Sequence, residues 1–301
     1  MQTFPLGSFH VGRVGFGAMQ LSGPGVFGPP RDHDQAIAVL RRAIELGINH
    51  IDTSQYYGPN VSNELIREAL HPYPADLALV SKVGARRDDA GGWLPAQEPD
   101  ELRADIEENL RTLDVDHLAA VNLRSIDAGD PSSVGQVDRD LFDRQLSAMI
   151  KARDEGLITG IGLSSISLEH LQIALDRTEI ACVQNAYNLV DRTSQPVLDA
   201  CMERGIAFVP FFPLGSGFTA DNPVLGHPAV QREASKLGRT PAQMALAWTV
   251  SIAPNVLLIP GTSSVQHLEE NTAVADIELD DETLQQLNAA LALRTREQVQ
   301  P

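Results

Sequence analysis

Residues 77–124, LALVSKVGARRDDAGGWLPAQEPDELRADIEENLRTLDVDHLAAVNLR, decide the fold class of this chain. The run LALVSK (77–82) is short and apolar, as a buried strand is, and HLAAVNL (117–123) repeats that pattern. Between them, the apolar residues of ELRADIEENLRTL (101–113) recur at intervals of three and four, which is typical of an amphipathic helix. A strand, a helix and a second strand in this order predict one unit of an α/β fold.

The same alternation runs through the rest of the chain. Helical patterns such as DQAIAVLRRAIELG (34–47) and PAQMALAWTV (241–250) separate short apolar runs. The predicted strands are RVGFG (13–17), NHID (49–52), LALVSK (77–82), HLAAVNL (117–123), ITGIGLS (158–164), ACVQN (181–185), IAFVPF (206–211) and VLLIP (256–260). Eight strands in 301 residues predict a (β/α)8 TIM barrel, preceded by a β-hairpin in TFPLGSFHVGRV. Because no repeat or linker divides the sequence, we expect one barrel domain over residues 1–301.

A doubly wound, dinucleotide-binding fold is the main alternative. GSGFTA (215–220) has the Gly-x-Gly-x-x-Ala form of a dinucleotide fingerprint and follows the strand-like IAFVPFF. That fingerprint opens the first strand–helix unit of such a fold, whereas here it lies late and is followed by Asp221, Asn222 and Pro223. The position of the motif therefore favours the barrel.

Composition excludes several classes of protein. The formal net charge is -17, so the anionic surfaces of nucleic acids and membranes would repel the chain at long range. No apolar run approaches the roughly 18 residues that a membrane span needs. Two cysteines, Cys182 and Cys201, give no disulfide framework and fit a reducing compartment. We expect a soluble cytoplasmic protein with inert cysteines and a small-molecule ligand, and the oligomeric state stays open.

Polar and aromatic residues follow most of the predicted strands. In a barrel, the C-terminal ends of the strands carry the chemistry. Each residue alone could be a helix cap or a solvated charge. Together they predict an active site on one rim, made of Asp52, Tyr57, Lys82, Arg124, Ser164, Gln184 and Phe211.

Several motifs, taken in order, resemble the aldo-keto reductases over nearly the whole chain. They are DTSQYYG (52–58), the Lys of VSKVG, GLSS, VQNAYN, FFPLGSG and IPGTSSVQHLEEN. Within that family, GAMQLSGPGVFGPPRD (17–32), KVGARR, VNLR and VPFFPLG are similar to the bacterial pyridoxal reductases. The resemblance implies a (β/α)8 barrel that transfers hydride reversibly between NADPH and a carbonyl compound, usually without a metal ion.

The resemblance also implies four catalytic residues. Tyr57 would be the general acid, Lys82 would stabilise the phenolate that remains, and Asp52 would hold Lys82 in place. The fourth position, usually a His in this family, is Arg124 here. Because Arg is always charged and only donates, it could polarise the substrate oxygen, lower the pKa of Tyr57 or bind an anionic ring oxygen. A structural Arg paired with Asp52 or Asp127 is the alternative.

For the cofactor, the resemblance implies that Ser164 and Gln184 bind the nicotinamide carboxamide and that Phe211 stacks on its ring. The other residues implied at the NADPH site are Gly17, Ala18, Met19, Asp52, Leu214, Gly215, Ser216, Gly261, Thr262, Ser263, Ser264, His267, Glu270 and Asn271. From the residues alone, Ser263 with Gln266 also fits a capping box, and a helix N-terminus can bind phosphate through its free amides. Many relatives have a Lys and an Arg in this stretch, and this chain has only His267 nearby.

The connection GARRDDAGGWLPAQEPD (84–100) is long and rich in glycine, and barrel loops of this kind tend to be functional. Trp93 could cover an aromatic ring of the substrate, and Arg86 or Arg87 could bind an anionic substituent. The preferred interpretation of the two arginines is a solvated charge cluster, because two aspartates follow them directly. Pyridoxal as the substrate is thus expected from the resemblance and not from the loop.

Three other functions stay open on sequence alone. The chain could be a general aldehyde reductase or alcohol dehydrogenase of the same family. It could act as a nucleotide-binding regulatory subunit, as some potassium-channel β subunits of this type do, without turnover. It could also be a barrel hydrolase or aldolase that uses Lys82 as a Schiff-base nucleophile, which borohydride would trap.

Overall fold

The computed structural model describes residues 2–125, 134, 136–215 and 222–289, and its elements follow the predicted alternation. The strands are β1 (Thr3–Leu6), β2 (Phe9–Gly12), β3 (Phe16–Gly17), β4 (His50–Asp52), β5 (Ala78–Val83), β6 (Ala85–Arg87), β7 (Trp93–Pro95), β8 (Ala120–Arg124), β9 (Ile161–Ser164), β10 (Cys182–Gln184) and β11 (Ala207–Phe208). The helices are α1 (His33–Glu45), α2 (Val61–Leu70), α3 (Pro99–Leu113), α4 (Arg139–Asp154), α5 (Leu168–Leu175), α6 (Gln195–Arg204), α7 (Pro228–Lys236), α8 (Pro241–Ser251), α9 (Val265–Thr272) and α10 (Asp281–Asn288). Within these ranges, no helix is long and apolar enough to cross a membrane.

Seven parallel strands form one sheet in the order β3-β4-β5-β8-β9-β10-β11. Residues 256–258 occupy the eighth position, between the two edges of that sheet. The Leu257 N–H donates to the Phe208 carbonyl at 2.9 Å, and the Leu258 N–H donates to the Arg13 carbonyl at 2.8 Å. These bonds close the sheet on itself, so the predicted (β/α)8 barrel is confirmed, with every predicted strand run at one of its positions.

An N-terminal hairpin closes one end of the barrel. It consists of β1 and β2, which pair antiparallel as predicted. Leu6 and Val11 are fully buried, and they pack against mostly small apolar side chains of the barrel: Ala78, Val80, Ala119, Ala120, Cys182, Ala207, Val209 and Leu257. Because this cluster fills the floor of the barrel, ligands enter from the opposite end, where the strands terminate.

Strand alternation places the polar residues at that open end. Successive residues of a strand point to opposite faces of the sheet. In β5, Leu79 packs between the sheet and the helices, whereas Val80 packs in the floor cluster. Lys82 lies two residues beyond Val80, so its side chain points toward the barrel axis at the strand end. Asp52 at the end of β4 points inward in the same way, because Ile51 packs on the helix side.

The long connection after β5 is more ordered than the sequence indicates. It contains a second antiparallel hairpin, in which Arg86 pairs with Leu94 and Arg87 pairs with Trp93. Gly91 has a φ of +83°, a left-handed conformation that glycine adopts without a steric penalty, and it helps the chain to reverse between the strands. The β6–β7 hairpin therefore forms a fixed structure beside the open end of the barrel.

Both cysteines are buried, and neither forms a disulfide. Cys182 lies in β10 and Cys201 lies in α6. Burial raises the pKa of the Cys201 thiol to about 12 and also raises the pKa of the Cys182 thiol. The prediction that both cysteines are core or helix residues is confirmed, and thiols in such surroundings stay protonated.

Candidate active site

Asp52 and Lys82 form a buried ion pair at the C-terminal end of the barrel strands. Lys82 Nζ contacts Asp52 Oδ1 and donates to the Thr53 carbonyl at 3.1 Å. Gln184 Nε2 donates to the other carboxylate oxygen, Asp52 Oδ2, at 2.6 Å. The predicted contact between Asp52 and Lys82 is therefore present. Because the two side chains are only 3% and 4% exposed, bulk water screens the pair little.

Lys82 keeps its proton in this environment. Burial alone would lower the pKa of the ammonium group, but the negative charge of Asp52 and the neighbouring Tyr57 and Tyr56 act in the other direction. The net result is that the pKa of Lys82 lies above its ordinary value. A charged ammonium group thus lies 5.1 Å from the centre of the Tyr57 ring.

Tyr57 stays protonated in the free protein. Burial raises the pKa of its phenol to about 12, and this effect outweighs the lowering by Lys82 and Arg124. We expected Arg124 to lower the pKa of Tyr57, and it does contribute in that direction. The net pKa is nevertheless raised, because Tyr57 is only 5% exposed and its phenolate would lose most of its hydration.

Arg124 ends strand β8 and lies on the same rim. Its register partner on β9 is Ser164, and Gln97 Nε2 donates to the Arg124 carbonyl at 3.0 Å. The guanidinium carbon lies 5.5 Å from the centre of the Phe211 ring, and the residue is 8% exposed. Asp127, the other predicted partner, lies outside the described residues. The structure thus brings Arg124 next to the residue that was predicted to stack on nicotinamide.

Ser164 and Gln184 are neighbours at the ends of β9 and β10. Both residues are fully buried. In the part of the chain that the structure describes, neither Ser164 Oγ nor Gln184 Oε1 has a hydrogen-bond partner. Buried polar atoms are normally satisfied, so two adjacent unsatisfied oxygens indicate a site for a ligand with hydrogen-bonding groups.

The first and last strand positions approach each other closely at Gly17 and Gly261. A Cβ atom on Gly17 would lie 2.5 Å from the Ile259 carbonyl oxygen, and one on Gly261 would lie 2.6 Å from the Gly17 carbonyl oxygen. Neither position therefore accepts a side chain without a shift of the backbone. Ala18 is buried next to this contact, and Met19 packs near Tyr57, so these predicted cofactor residues lie on the rim.

The segment after Gly261 begins helix α9, but not with the predicted capping box. Ser264 is the N-cap and accepts from the His267 N–H at 3.4 Å, while Gln266 binds Glu270 on the helix surface. The capping box of Ser263 with Gln266 is therefore wrong, because the helix starts one residue later. Ser263 is exposed instead and faces a cavity of about 320 Å³.

Other predicted cofactor residues surround the same end of the barrel. Phe211 is half-buried, and Leu214 packs on the core. Gly215 has a φ of +85°. The remaining predicted residues of the α9 segment are the buried Thr262 and Asn271, the half-buried Glu270 and the exposed His267. Ser216 lies outside the described residues.

Comparison with protein families matches the aldo/keto reductase family over residues 13–292. The chain belongs to the aldo/keto reductase family. A similar relative is the pyridoxine 4-dehydrogenase of Escherichia coli K12, which is 48% identical over 95% of this chain and 97% of its own length. An uncharacterised oxidoreductase of Schizosaccharomyces pombe is 39% identical over 95% of this chain and 89% of its own.

Solved aldo/keto reductases share the fold of this chain. One from Klebsiella pneumoniae, crystallised with NADP and acetate, is 26% identical and has a TM-score of 0.76. The alignment covers 95% of this chain and 94% of that one. A thermostable aldo-keto reductase, in complex with the inhibitor epalrestat, is 27% identical with a TM-score of 0.78, over 96% of this chain and 100% of its own.

Arg86 of the β6–β7 hairpin is exposed, as expected for a solvated charge cluster, but both arginines of this aldo/keto reductase have partners outside the hairpin. Arg86 Nε donates to the buried Asp105 of α3 at 3.1 Å. Arg87 points the other way and donates to backbone carbonyl groups, among them that of Val26. Their partners differ because Arg86 and Arg87 are consecutive in strand β6, and successive side chains of a strand point to opposite faces. Trp93 contacts the ring of Tyr56, with the ring centres 5.3 Å apart.

Sequence reasoning missed a buried amide network behind the active-site loop of this aldo/keto reductase. Asn109 of α3 lies at its centre, fully buried. Asn109 Oδ1 accepts from Asn63 at 3.0 Å and from Ser81 at 2.6 Å, and its Nδ2 donates to Gln55 Oε1 at 2.9 Å. Asn63 in turn accepts from Thr53 at 2.7 Å. The network thus ties α2 and α3 to the loop that follows Asp52. The only signal for it was a set of polar residues at positions where the helical pattern predicts core.

The burial of His50, two residues before Asp52, predicts that the protein loses stability as the pH falls. It is 1% exposed, and neither ring nitrogen has a hydrogen-bond partner in the described residues. Burial lowers the pKa of His50 to about 4, while the negative charge of Asp52 raises it to a smaller extent and the positive charge of Lys82 lowers it further. As the pH falls below 6.5, His50 therefore binds a proton in the unfolded chain. In the folded protein it binds a proton only at about pH 4. The contribution of neutral His50 to the free energy of unfolding is fully present above the unfolded pKa. It falls as the pH drops from the unfolded to the folded pKa, by on the order of 3 kcal/mol in total.

Urea unfolding of the wild-type protein and of His50→Leu at several pH values between about 4.5 and 7 tests this prediction. The free-energy difference between the two should shift in favour of the variant as pH falls. Asp105 has the opposite effect on the pH dependence of stability, because burial raises the pKa of its carboxyl to about 6. Since Asp105 is present in both proteins, its effect cancels in the difference between them. A difference that is independent of pH would contradict the role of His50.

Proposed function

We propose that this aldo/keto reductase reduces pyridoxal to pyridoxine with NADPH. The observation that carries the proposal is the buried cluster of Asp52, Lys82 and Tyr57 on the open rim, beside the unsatisfied oxygens of Ser164 and Gln184. The identity of 48% with a pyridoxine 4-dehydrogenase supports the substrate, and the complex of the Klebsiella pneumoniae protein with NADP supports the cofactor.

In the proposed reaction, Tyr57 donates its phenolic proton to the carbonyl oxygen of the substrate. When bound, NADPH supplies the hydride that the carbonyl carbon accepts. The proton is available because the pKa of Tyr57 is about 12. As the phenol loses its proton, the ammonium group of Lys82 stabilises the negative charge that develops on Tyr57. Asp52 holds Lys82 and keeps it charged.

Arg124 is proposed to donate to the substrate. A guanidinium remains charged throughout the reaction, so Arg124 stabilises developing negative charge but takes no proton. The 3-oxygen of the pyridoxal ring is anionic when ionised, and it would accept a charge-assisted hydrogen bond. We therefore propose that Arg124 both polarises the carbonyl group and selects a ring with a neighbouring anionic oxygen.

The rim offers groups that fit a nicotinamide cofactor. Ser164 Oγ can donate or accept, and Gln184 Oε1 accepts, which matches the carbonyl and the amide hydrogens of a carboxamide. The half-buried face of Phe211 would cover the ring. Ser263 is free of the helix cap and can bind phosphate together with the amides of α9. We place the other predicted residues of 214–216 and 261–271 along the pyrophosphate and the adenosine.

The pKa of Lys82 argues against a Schiff-base mechanism. A lysine that attacks a carbonyl carbon must lose its proton first, and such lysines have lowered pKa values. Here Asp52 raises the pKa of Lys82, so the amine remains charged.

The protein is also proposed to be cytoplasmic. The buried, unreactive Cys182 and Cys201 are consistent with that location.

A spectrophotometric assay tests the proposed function. The purified protein with NADPH and pyridoxal should lose NADPH absorbance and form pyridoxine, which chromatography identifies. NADH in the same assay should react more slowly at equal concentration. Turnover of simple aldehydes without pyridoxal would indicate a general aldehyde reductase. Binding of NADPH without turnover of any aldehyde would indicate a regulatory subunit.

A further inference from the structure

Two loops meet over Tyr57. The first is the turn of residues 23–28, called here the first-loop turn, and the second is the β6–β7 hairpin. Gly58, directly after Tyr57, accepts from the Gly28 N–H at 2.9 Å and donates to the Val26 carbonyl at 3.2 Å. The first-loop turn is thereby docked next to Tyr57. One buried cluster contains Val26, Tyr56, Tyr57 and Ala85.

Arg87 joins the two loops through backbone carbonyl groups. Its Nη1 donates to the Val26 carbonyl at 3.0 Å, and its Nη2 donates to the Gly25 carbonyl at 3.0 Å. The Gly91 carbonyl, within the hairpin, accepts from Arg87 Nη2 at 2.7 Å and from Nε at 3.1 Å. One planar side chain thus binds three carbonyl groups, two in the first-loop turn and one in the hairpin.

Two aromatic rings lie close to the same guanidinium group. The guanidinium carbon of Arg87 lies 4.2 Å from the centre of the Trp93 ring and 5.4 Å from the centre of the Phe27 ring. Trp93 belongs to the hairpin and Phe27 to the first-loop turn. A lysine could not replace this arrangement, because an ammonium group has neither a flat face to stack nor a rigid fork of donors.

The backbone of Val26 depends on these contacts. Its φ is +60°, in the left-handed region that β-branched residues rarely adopt. Such a conformation persists only where the surrounding structure fixes it. The Val26 carbonyl is fixed by Arg87 and by Gly58, and its side chain is only 5% exposed in the cluster with Tyr57. Loss of the Arg87 contacts should therefore let Val26 move away from Tyr57.

We propose that Arg87 is a positioning residue that gives the site its preference for flat aromatic aldehydes. It holds Val26 and Trp93 in place, and with Tyr56 they form an apolar wall beside Tyr57. A planar ring can pack over such a wall, whereas a short aliphatic aldehyde gains little from it. Arg87 acts through this wall and not on the substrate, since its donors bind protein carbonyl groups. The inference rests on the proposed carbonyl reduction at Tyr57.

The experiment compares Arg87→Ala and Arg87→Lys with the matched control Arg86→Lys. Arg86 is adjacent on the same hairpin but binds Asp105 on the side of α3, away from the wall. In both Arg87 variants, we expect the KM for pyridoxal and benzaldehyde to rise about tenfold, as for the loss of good apolar contact in a pocket. The KM for propanal and the Kd for NADPH should stay within about twofold, because neither depends on the wall. Arg86→Lys should keep the wild-type ratio of aromatic to aliphatic KM.

A binding measurement separates this inference from the proposed function. Pyridoxal is titrated into the complex of the protein with NADP+, and quenching of tryptophan fluorescence gives its Kd without turnover. If the wild-type protein binds pyridoxal but reduces no aldehyde, the proposed function fails, and weaker binding by the Arg87 variants still supports the positioning role. Thermal unfolding verifies that each variant is folded. If Arg87→Ala does not fold, the comparison is made with Arg87→Lys alone.

Three results would overturn the inference. The first is an unchanged ratio of aromatic to aliphatic KM in the folded Arg87 variants. The second is an equal change of that ratio in Arg86→Lys, since this would assign the effect to the hairpin as a whole. The third is a wild-type protein that binds no aromatic aldehyde.

Discussion

Replacing Tyr57 with phenylalanine is expected to lower the kcat for pyridoxal reduction by about a hundredfold to ten-thousandfold, the usual contribution of a positioned general acid. The substitution removes only a hydroxyl group, so the ring keeps its packing against Val26 and its place beside Lys82. The Kd for NADPH should change by less than about threefold, because the phenol acts on the substrate and not on the cofactor. Single-turnover kinetics and a fluorescence titration of NADPH measure the two quantities.

Tyr56→Phe is the matched control for this prediction. Tyr56 is the neighbouring residue and equally buried, but its hydroxyl has no hydrogen-bond partner in the described residues. Removing an unsatisfied buried hydroxyl should leave stability equal or slightly higher, and kcat within about twofold. A Tyr57→Phe enzyme with near-full turnover, or an equal loss in both variants, would show that Tyr57 is not the acid.

Arg124→Ala should lower the turnover of pyridoxal by about tenfold to a thousandfold, the range seen when an electrostatic donor at a developing oxyanion is removed. The guanidinium carbon lies at the end of β8, 5.5 Å from the centre of the Phe211 ring, and we propose that the substrate carbonyl binds beside it. Steady-state kinetics with pyridoxal and with nitrobenzaldehyde measure the loss. A well-folded Arg124→Ala enzyme with unaltered kinetics on both aldehydes would mean that the residue is structural.

Arg124→His separates the two roles proposed for this arginine. The variant restores the residue that is usual in the wider family. If Arg124 only stabilises the carbonyl oxygen, His should retain activity on nitrobenzaldehyde and on pyridoxal alike. If it also recognises the anionic ring oxygen, His should lose pyridoxal selectively, because a neutral imidazole makes no charge-assisted contact. Urea unfolding must accompany the kinetics, since loss of a buried cation can destabilise the fold by about 3 kcal/mol or more.

The barrel was predictable because it depends on local patterns, whereas the Asp52–Lys82 contact was implied by the resemblance to the aldo-keto reductases. Strand runs, helix periodicity and chain length together specify the barrel, and strand alternation then directs Asp52 and Lys82 to one rim. The cap of α9 was not predictable to the residue, since Ser263 and Ser264 are both good caps and only the fold chooses between them. The pKa of Tyr57 also escaped prediction, because the sequence names its charged neighbours but not its burial.

The partners of Arg86 and Arg87 could not be predicted for a different reason. Their sequence neighbours are acidic, and a local interpretation pairs them there. In the structure, Arg86 reaches Asp105 and Arg87 reaches residues 61 and 62 positions earlier in the chain. The Arg87 contacts appear only once the first-loop turn and the β6–β7 hairpin are both placed over Tyr57, and the Arg86 contact appears only once α3 packs beside the hairpin. No pattern within either segment encodes the distance between them.

The amide network around Asn109 limits how this sequence can diverge. Its members satisfy one another's donors and acceptors, so changing one alone leaves a buried polar atom unmatched on another, at a penalty of about 1 to 3 kcal/mol. Marginal stability makes such a step hard to tolerate, and the combined replacement of several residues by apolar ones is seldom reached through single mutations. Descendants of this protein should therefore inherit Asn63, Asn109 and Gln55 together or lose them together. That coupling would preserve the active-site loop even where the sequences of the surrounding helices change.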